Sequence, residues 1–518
     1  MVRVPTARCF TWKCTRARYD RMARPGIAAL TALIATPFLA PLPAGAHAFG
    51  QRYDLPLPLW LYASGAGAVV ALSFAVMALV LHSRRSDPES LYVDVLSLAG
   101  LRWLGHPCVV TTVRALSVGL FGLILAACFF GDPGPFDNVA PTFVWVIWWV
   151  GLAFLSALFG NLWDLLNPWV NLFRWGERLS GGPPRRRPYP AWLGQWPAVV
   201  LFFAFVWMEL VFEGAEKPRA LGVLILIYSV ITWLGMARFG RAAWLRHGEA
   251  FSVAFGVLAR FAPLHGTGRE AAGNGDGEAD GPGRALRLRF PAAGLLVPAP
   301  MPVSYVCFVI LLLTSVTFDG ILETPFWQSV LAWVSESTAL RGALVYLQQA
   351  GVDLLVLIET LALAIAYLVF IGGYAAVSWL IGAAGSERRA LRDLAGYFVL
   401  SLVPIAIAYH LSHYLSYLLI AGQNIIPLAS DPFGIGWDLF GTRAYRLDIG
   451  VVSAKMIWYV AVTAIVLGHV IAVWLAHVMA LRVFSTRRQA LFSQLPMLVL
   501  MVAYTMISLW ILSQPIVA

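Results

Sequence analysis

Histidines and tyrosines interrupt an apolar stretch, YHLSHYLSYLLIAGQN, that runs from position 409 to 424. His410, His413 and Tyr417 are spaced i, i+3 and i+7, so in an α-helix they fall within about 60° of arc and form one polar stripe. Lipid offers an imidazole no hydrogen-bond partner, and the stripe is therefore expected to face the interior of the protein. Neutral imidazoles in that position can ligate a divalent metal ion through a ring nitrogen.

Carboxylates and a further histidine lie in neighbouring apolar runs. Ionisable groups in a bilayer are unfavourable unless they face the bundle interior and pair there, which makes each one a candidate site residue. We predict that Asp319 and Glu359 are catalytic carboxylates that accept a proton. We predict that a divalent first-row metal (zinc, manganese or cobalt) is held by His410, His413 and His469. The remaining intramembrane polar candidates are Glu209, Tyr417 and Gln423.

A purely structural interpretation of these residues stays open. A His or Glu in a membrane often makes only a helix-to-helix hydrogen bond worth less than about 2 kcal/mol. Glu209, Asp319 and Glu323 could instead extend to the membrane interface. His477 follows His469 by eight positions, about 12 Å along a helix axis, and is predicted to be interfacial.

The segment GQNIIPLASDPFGIGWDLFGTRAYRLD follows the polar stripe and combines Gly and Pro with aromatic and acidic residues. A plain tether would not need those aromatics. We predict a lid over the mouth of the bundle, with Trp437, Asp431 and Asp438 as its substrate-facing residues. The alternative is a loop that Trp437 anchors at the membrane interface.

The elements that position these residues follow from composition. Hydrophobic residues make up 59% of the 518 positions, charged residues make up 12%, and the mean hydropathy is +0.74, which excludes an ordinary soluble domain. Runs of roughly 20 apolar residues predict an all-α, polytopic integral membrane helix bundle of about ten transmembrane helices after a cleavable signal peptide. The predicted spans are 57–81, 110–130, 142–162, 196–213, 219–237, 301–318, 351–383, 396–420, 453–480 and 494–514.

The N-terminal region has the basic, apolar and small-residue parts of a signal peptide, which we assign to residues 1–46. Met22 opens a well-proportioned signal by itself and is an alternative start; a retained membrane anchor is the alternative to cleavage. The rest, 47–518, is predicted to be a single membrane domain with a flexible, Gly- and acid-rich cytoplasmic linker at 266–283.

Two further segments, 160–175 and 246–263, are predicted to form interfacial helices on the cytoplasmic face, with a break at Pro168. His247 and Glu249, which lie in the second segment, are predicted to be solvated.

Basic residues are distributed unequally between the loops. One set of loops carries 22 arginines, whereas the opposite set carries six lysines and arginines. The positive-inside rule then predicts a bacterial inner-membrane protein whose mature N- and C-termini are both periplasmic. The net charge of +10 is explained by loops that face anionic lipid, so the lipid bilayer is the expected partner and no nucleic acid is required. The spacing of the five cysteines matches neither a disulfide framework nor a CxxC metal site.

Two other function classes fit the same residues. Five plus five helices would have opposite topologies, and Gly372, Gly373 and Pro404 would interrupt helices, as in a proton- or ion-coupled transporter or channel. His410 and His469 are predicted to lie at similar depth, which also fits two axial ligands of a haem in a membrane redox module.

Several motifs occur in a distinctive order: AHAFGQRYDLPLPLWLY, GNLWDLLNPW, RHGEAFSVAFGVLARFAP, SVTFDG, YHLSHYLSYLL, SDPFGIGWDLFGT and GHVIAVWLAH. From about position 46 to the end of the ninth span the chain resembles the fenitrothion hydrolase family of bacterial membrane proteins. The resemblance implies hydrolysis of the phosphorus to aryl-oxygen bond of a hydrophobic organophosphate triester, with release of a nitrophenol. It brings no established set of catalytic residues, and it leaves open whether a second membrane subunit is required.

Overall fold

The computed structural model describes residues 57–80, 93–95, 101–180, 186–266, 286–386 and 389–514. The predicted signal peptide and nearly all of the predicted linker lie outside these ranges.

Ten helices of the described chain are long and apolar enough to cross a membrane. They are α1 (Leu59–Val80), α2 (Pro107–Phe130), α3 (Val139–Phe159), α4 (Ala191–Leu210), α5 (Pro218–Phe239), α6 (Val303–Leu322), α7 (Leu354–Ala384), α8 (Leu391–Ser430), α9 (Ala454–Val483) and α10 (Arg487–Ser513). The prediction of an all-α polytopic bundle with ten spanning helices is confirmed. The multi-pass topology places the chain in a lipid environment.

Four of the spanning helices are not regular throughout. α4 begins with a 3₁₀ turn, Ala191–Leu193, ahead of Trp196–Leu210, and α10 consists of Arg487–Ser493 and Leu495–Ser513. α3 consists of Val139–Pro141, a π-helix at Thr142–Gly151, and Leu152–Phe159. α8 consists of Leu391–Phe398, a 3₁₀ turn at Val399–Leu402, Val403–Ile420, a second 3₁₀ turn at Ala421–Asn424, and Ile425–Ser430.

The first irregularity of α8 has a local cause. Pro404 stands at the start of the segment Val403–Ile420 and lacks the N–H that a continuous helix would need. The preceding turn therefore tightens to 3₁₀ geometry, which fits the interruption predicted at Pro404.

Shorter elements connect the spanning helices. The helices are Trp163–Leu166, Pro168–Leu179, Arg241–His247, Ala250–Ala259, Pro325–Glu336 and Thr338–Gln349, and the 3₁₀ turns are Arg102–Gly105, Ala293–Leu295 and Ile449–Val451. Three short strands, β1 (Val93–Asp94), β2 (Leu264–Gly266) and β3 (Leu286–Leu288), form an antiparallel sheet in the order β1-β3-β2. Leu288 pairs with Val93 on one side and with Leu264 on the other.

The prediction of an interfacial helix at 246–263 is wrong. All residues of Ala250–Ala259 except Gly256 are buried. Phe251 packs edgewise on Trp148 and on Phe205, with ring centroids 4.6 and 4.9 Å apart. The segment is too short to span a bilayer but is apolar on every side, so it is buried among the long helices instead of resting on their surface. The break predicted at Pro168 is confirmed, since Trp163–Leu166 ends before it and Pro168–Leu179 starts with it.

The centre of the bundle is formed by α6, which is buried over most of its length. α8 and α9 pack against each other closely at Gly468, where an added Cβ would lie 2.5 Å from the Cβ of Ala408 and 2.8 Å from the carbonyl oxygen of Pro404. Only glycine allows that approach. Within the polar stripe of α8, His410 is buried and His413 contacts α6, whereas Tyr417 is 42% exposed.

Candidate functional site

The C-terminal end of α6 and the middle of α8 bring an acid and a histidine together inside the bundle. Nε2 of His413 lies 3.0 Å from Oδ2 of Asp319. The Tyr414 hydroxyl donates a hydrogen bond to the same carboxylate oxygen. Glu323 follows Asp319 by one helical turn, and one ligand atom each of Asp319, Glu323 and His413 lies within 4.8 Å of the others. We call Asp319, Glu323, His413 and Tyr414 the carboxylate cluster.

Local sequence explains why α6 contributes two carboxylates to one place. Asp319 and Glu323 are four residues apart, and Glu323, which directly follows α6, keeps right-handed helical backbone angles, so both side chains lie on the same side. α6 ends at Leu322, and Thr324 then caps the next helix by accepting a hydrogen bond from the amide of Trp327.

Gly320 lets α6 approach its neighbours at the carboxylate cluster. An added Cβ there would lie 2.8 Å from Cγ2 of Ile511 and 2.9 Å from the Tyr409 hydroxyl oxygen. Both distances are shorter than side-chain carbons tolerate, so a Cβ at this position would force the Ile511 or Tyr409 side chain to move.

His410 is 8% exposed and lies beside the cluster rather than within it. Its ring packs against Tyr414 at 4.7 Å and Phe154 at 5.2 Å between centroids, and it faces the backbone of Val150 in the π-helical part of α3. Within the described chain its Nε2 is buried and makes no hydrogen bond. A buried ring nitrogen without a partner can accept a proton or a hydrogen bond from a bound molecule.

Acidic and aromatic residues surround the cluster. Glu209, at the end of α4, lies within electrostatic range of Asp319. Tyr417 is 42% exposed, its ring lies 6.5 Å from that of Tyr414, and it interacts electrostatically with Glu216 and Glu209. The rings of Tyr414, in the cluster, and Tyr417, at the exposed surface, are therefore neighbours along α8.

The charge state of Glu323 depends on this environment. Burial raises the pKa of Glu323 above its ordinary value; the Asp319 carboxylate adds to that effect and His413 opposes it. Binding of a cation would favour the ionised form of such a carboxylate.

Glu359 does not join the carboxylate cluster. Its electrostatic neighbours are Asp353 and Glu213. Of the two predicted catalytic carboxylates, only Asp319 therefore lies in the cluster within the described part of the structure. Asp319 lies near the C-terminal end of α6 and Glu359 near the N-terminal end of α7, but position along a helix does not determine which faces of two helices meet.

Among the described residues, only one of the three predicted metal ligands, His413, lies in a group with metal-ligand spacing. His469 is fully buried, and its Nδ1 lies 2.8 Å from the carbonyl oxygen of Ile465 in its own helix. Its ring packs near Tyr504 of α10, whereas His410 packs near residues of α3 and α8. Although His410 and His469 were predicted to lie at similar depth, their rings pack against different residues.

The predicted lid is a loop in which Asp431 and Asp438 accept hydrogen bonds from backbone amides of the same loop. Asp431 accepts hydrogen bonds from the amides of Ile435 and Gly436 at 3.0 and 2.7 Å. Asp438 accepts from the amide of Arg443 at 3.1 Å, and half-exposed Trp437 packs edgewise on Phe433.

Both ends of this loop are anchored. The carbonyl oxygen of Phe433 accepts from the amide of Asp132 in the turn between α2 and α3. Gln423 accepts from the Tyr445 hydroxyl and from the amide of Asp448 at 2.8 and 2.9 Å. These contacts join the loop to α8 and to the α2–α3 turn rather than to Asp319 or His413.

The prediction that Glu249 is solvated is wrong. The side chain is 0% exposed and caps the helix Ala250–Ala259. One carboxylate oxygen accepts from the Tyr228 hydroxyl at 2.5 Å and from the amide of Phe251 at 3.0 Å. The other accepts from the amide of Ser252 at 2.7 Å and from the side chains of Trp163 and Asn167 at 3.4 and 3.5 Å. An acidic residue directly before an apolar run was the available sign of such a cap.

His247 is also not free in solvent. It is half-buried, its ring stacks on Tyr189 at 5.1 Å, and its Nδ1 lies 3.0 Å from Nε2 of Gln195. Burial, followed by the charge of Arg246, lowers the pKa of His247.

Sequence reasoning missed Tyr414. Tyr414 follows His410 by four positions and therefore shares its side of α8, which was the signal that could have identified it. No family model, curated protein or solved structure matches this chain.

Proposed function

We propose that the protein is a hydrolase embedded in a bacterial inner membrane, acting on hydrophobic organophosphate triesters such as fenitrothion with the help of a divalent metal ion. The observation that carries this proposal is the grouping of Asp319, Glu323 and His413, with ligand atoms within 4.8 Å of one another. The resemblance described above supports the reaction type. The unequal arginine distribution supports an orientation with both mature termini in the periplasm.

The donor set fits a metal ion. Two carboxylates and one imidazole are ligands that zinc, manganese and cobalt accept, and three protein ligands leave a coordination position open for chemistry. Such an ion, when bound, supplies Lewis-acid activation of water and of the phosphoryl or thiophosphoryl group.

The residues around the ion have separate tasks. Tyr414 donates to Asp319 and fixes the orientation of that carboxylate, while Asp319 and His413 orient each other. Glu209 is a further carboxylate near Asp319 and accepts the proton of the attacking water. The water oxygen bonds to phosphorus, the bond from phosphorus to the aryl oxygen breaks, and the aryl oxide leaves.

The surroundings also suit the substrate class. A triester with little solubility in water partitions into lipid and reaches an intramembrane site at raised local concentration. The faces of Tyr414 and Tyr417 offer a nitroaryl ring two stacking partners between the surface and the cluster.

The test uses the full chain purified in detergent. The protein is stripped with a chelator and reloaded with zinc, manganese or cobalt, and both bound metal and nitrophenol release are measured. Asp319→Asn, Glu323→Gln and His413→Ala should each lower metal affinity and activity by roughly 10- to 100-fold or more. Glu336→Gln, at an exposed position of Pro325–Glu336, is the matched control and should change neither.

Glu359→Gln separates the two assignments of the proton acceptor, Glu209 and Glu359. The arrangement of the cluster predicts near-normal activity in this variant, whereas a role for Glu359 in proton transfer predicts a large loss. Full activity of the His413→Ala protein, or no nitrophenol release by the metal-loaded wild type, would remove the proposal.

A proton- or ion-coupled transporter is the second candidate. The π-helical part of α3 and the 3₁₀ turn at Ala421–Asn424 in α8 are non-α segments of neighbouring helices, and interrupted helices are a feature of transporter binding sites. Reconstituted vesicles that accumulate a cation in response to a pH gradient, without nitrophenol release, would favour this class. A Soret band in the purified protein would instead indicate a haem-binding redox module.

A further inference from the structure

Two buried polar atoms near the carboxylate cluster and the middle of α9 have no hydrogen-bond partner within the described chain. The Tyr409 side chain is 0% exposed, and its hydroxyl makes no hydrogen bond within the described chain. Such an atom is rare in folded proteins, and an internal water is the usual partner.

His469 presents a second such atom. Nδ1 lies 2.8 Å from the carbonyl oxygen of Ile465, and a carbonyl only accepts, so Nδ1 must carry the proton. In the neutral ring Nε2 is then a bare acceptor. It too is fully buried and unbonded in the described residues.

Tyr504 lies between these two groups. Its ring centroid is 6.3 Å from that of Tyr409 and 6.0 Å from that of His469. Its hydroxyl is held at 2.5 Å by the Thr317 hydroxyl of α6. Neither the Tyr409 hydroxyl nor Nε2 of His469 bonds directly to the Tyr504 hydroxyl in the described chain, and a small hydrogen-bonding molecule such as water can serve as the bridging partner.

One end of this group reaches the carboxylate cluster. A Cβ added to Gly320 would lie 2.9 Å from the Tyr409 hydroxyl oxygen and 3.7 Å from Nδ1 of His413, so both side chains border the residue that follows Asp319. The other end, His469, is 15 residues from the start of α9, roughly 22 Å along its axis and thus near mid-helix.

We propose that Tyr409, Tyr504 and His469 bind internal water and form a hydrogen-bonded route between the carboxylate cluster and the middle of the bundle. The Tyr409 hydroxyl both donates and accepts, and Nε2 of His469 accepts from the last water. The route does not depend on a metal or on hydrolysis. It identifies water as the ligand of a second polar site in the bundle.

Radiolytic hydroxyl-radical labelling with mass spectrometry tests this proposal on the full chain in detergent, because radicals formed from bound water oxidise the side chains beside it. Tyr374 is the matched control: it is also buried, but its hydroxyl already donates to the carbonyl oxygen of Ala395 at 2.8 Å. Tyr409 and Tyr504 should be oxidised at least several-fold faster than Tyr374. Equal protection of all three tyrosines in the wild type would overturn the proposal.

A pair of variants locates the water at His469. His469→Leu removes the acceptor and should reduce oxidation of Tyr504 to the level of Tyr374, whereas His469→Gln keeps a polar side chain and should retain the faster rate. Hydrogen exchange at C2 of the His469 ring in D2O gives a second measurement, and Tyr409→Phe should slow it several-fold. Unchanged labelling in His469→Leu together with unchanged exchange in Tyr409→Phe would contradict the route.

Discussion

Replacement of Glu249 by alanine tests a buried polar network outside the carboxylate cluster, in which one carboxylate accepts five hydrogen bonds. The carboxylate accepts hydrogen bonds from two backbone amides and three side chains, and it caps the helix Ala250–Ala259. Loss of a helix cap costs about 0.5–2 kcal/mol. Leaving buried donors such as the Tyr228 hydroxyl and the Trp163 indole without acceptors costs about 1–3 kcal/mol each.

The expected loss in the free energy of unfolding is therefore several kcal/mol, on the order of 3–6 kcal/mol after allowance for relaxation. The assay is equilibrium unfolding in mixed micelles. Glu249→Gln keeps the shape but turns an amide N–H₂ toward donors, so it should be intermediate. Tyr228→Phe removes a single hydroxyl and should cost less, and the double variant should be less destabilised than the two single effects added together.

Glu336→Ala, an exposed carboxylate, is the control and should be close to wild type. A Glu249→Ala protein as stable as this control would refute the reasoning that the network holds Ala250–Ala259 in the bundle.

Three further predictions concern close packing and pH. Gly320→Ala should displace Tyr409 and lower metal affinity at the carboxylate cluster several-fold. Gly373→Ala, whose Cβ would meet no atom within 4 Å, is the control and should leave metal affinity unchanged. Equal metal affinities in the two variants would refute the close approach at Gly320. Gly468→Ala should lower the free energy of unfolding by about 1–3 kcal/mol through overpacking, while Gly372→Ala, also in open space, should be neutral or stabilising by up to about 1 kcal/mol. His247 has a lowered pKa, so below about pH 6.5 the unfolded chain binds a proton that the folded chain resists; stability should fall as the pH drops through that range. His247→Gln should flatten this pH dependence of the unfolding midpoint, and an unchanged slope would show that the folded state takes up the proton freely.

The sequence predicted the spanning helices well because the bilayer imposes a strong local requirement. An apolar stretch of about 20 residues must satisfy its own backbone hydrogen bonds, so length and hydropathy are enough to place α1 to α10. The break at Pro404 was equally local, since a missing N–H acts on the preceding turn. The burial of Ala250–Ala259 follows from its lack of a polar face, and the prediction was wrong because it treated 246–263, with its charged ends, as one amphipathic helix.

What the sequence determined by itself was which residues could do chemistry: the imidazoles on one stripe of α8 and the acids near the end of α6, since lipid excludes unpaired charge and directs both inward. Tertiary structure alone decided that Asp319 and Glu323 meet His413, that Tyr414 completes the cluster, and that Glu359 and His469 face other neighbours. Helix periodicity fixes the faces of each helix separately, whereas the rotation and spacing between helices depend on packing at residues such as Gly320 and Gly468, where the absence of a single Cβ sets which faces touch.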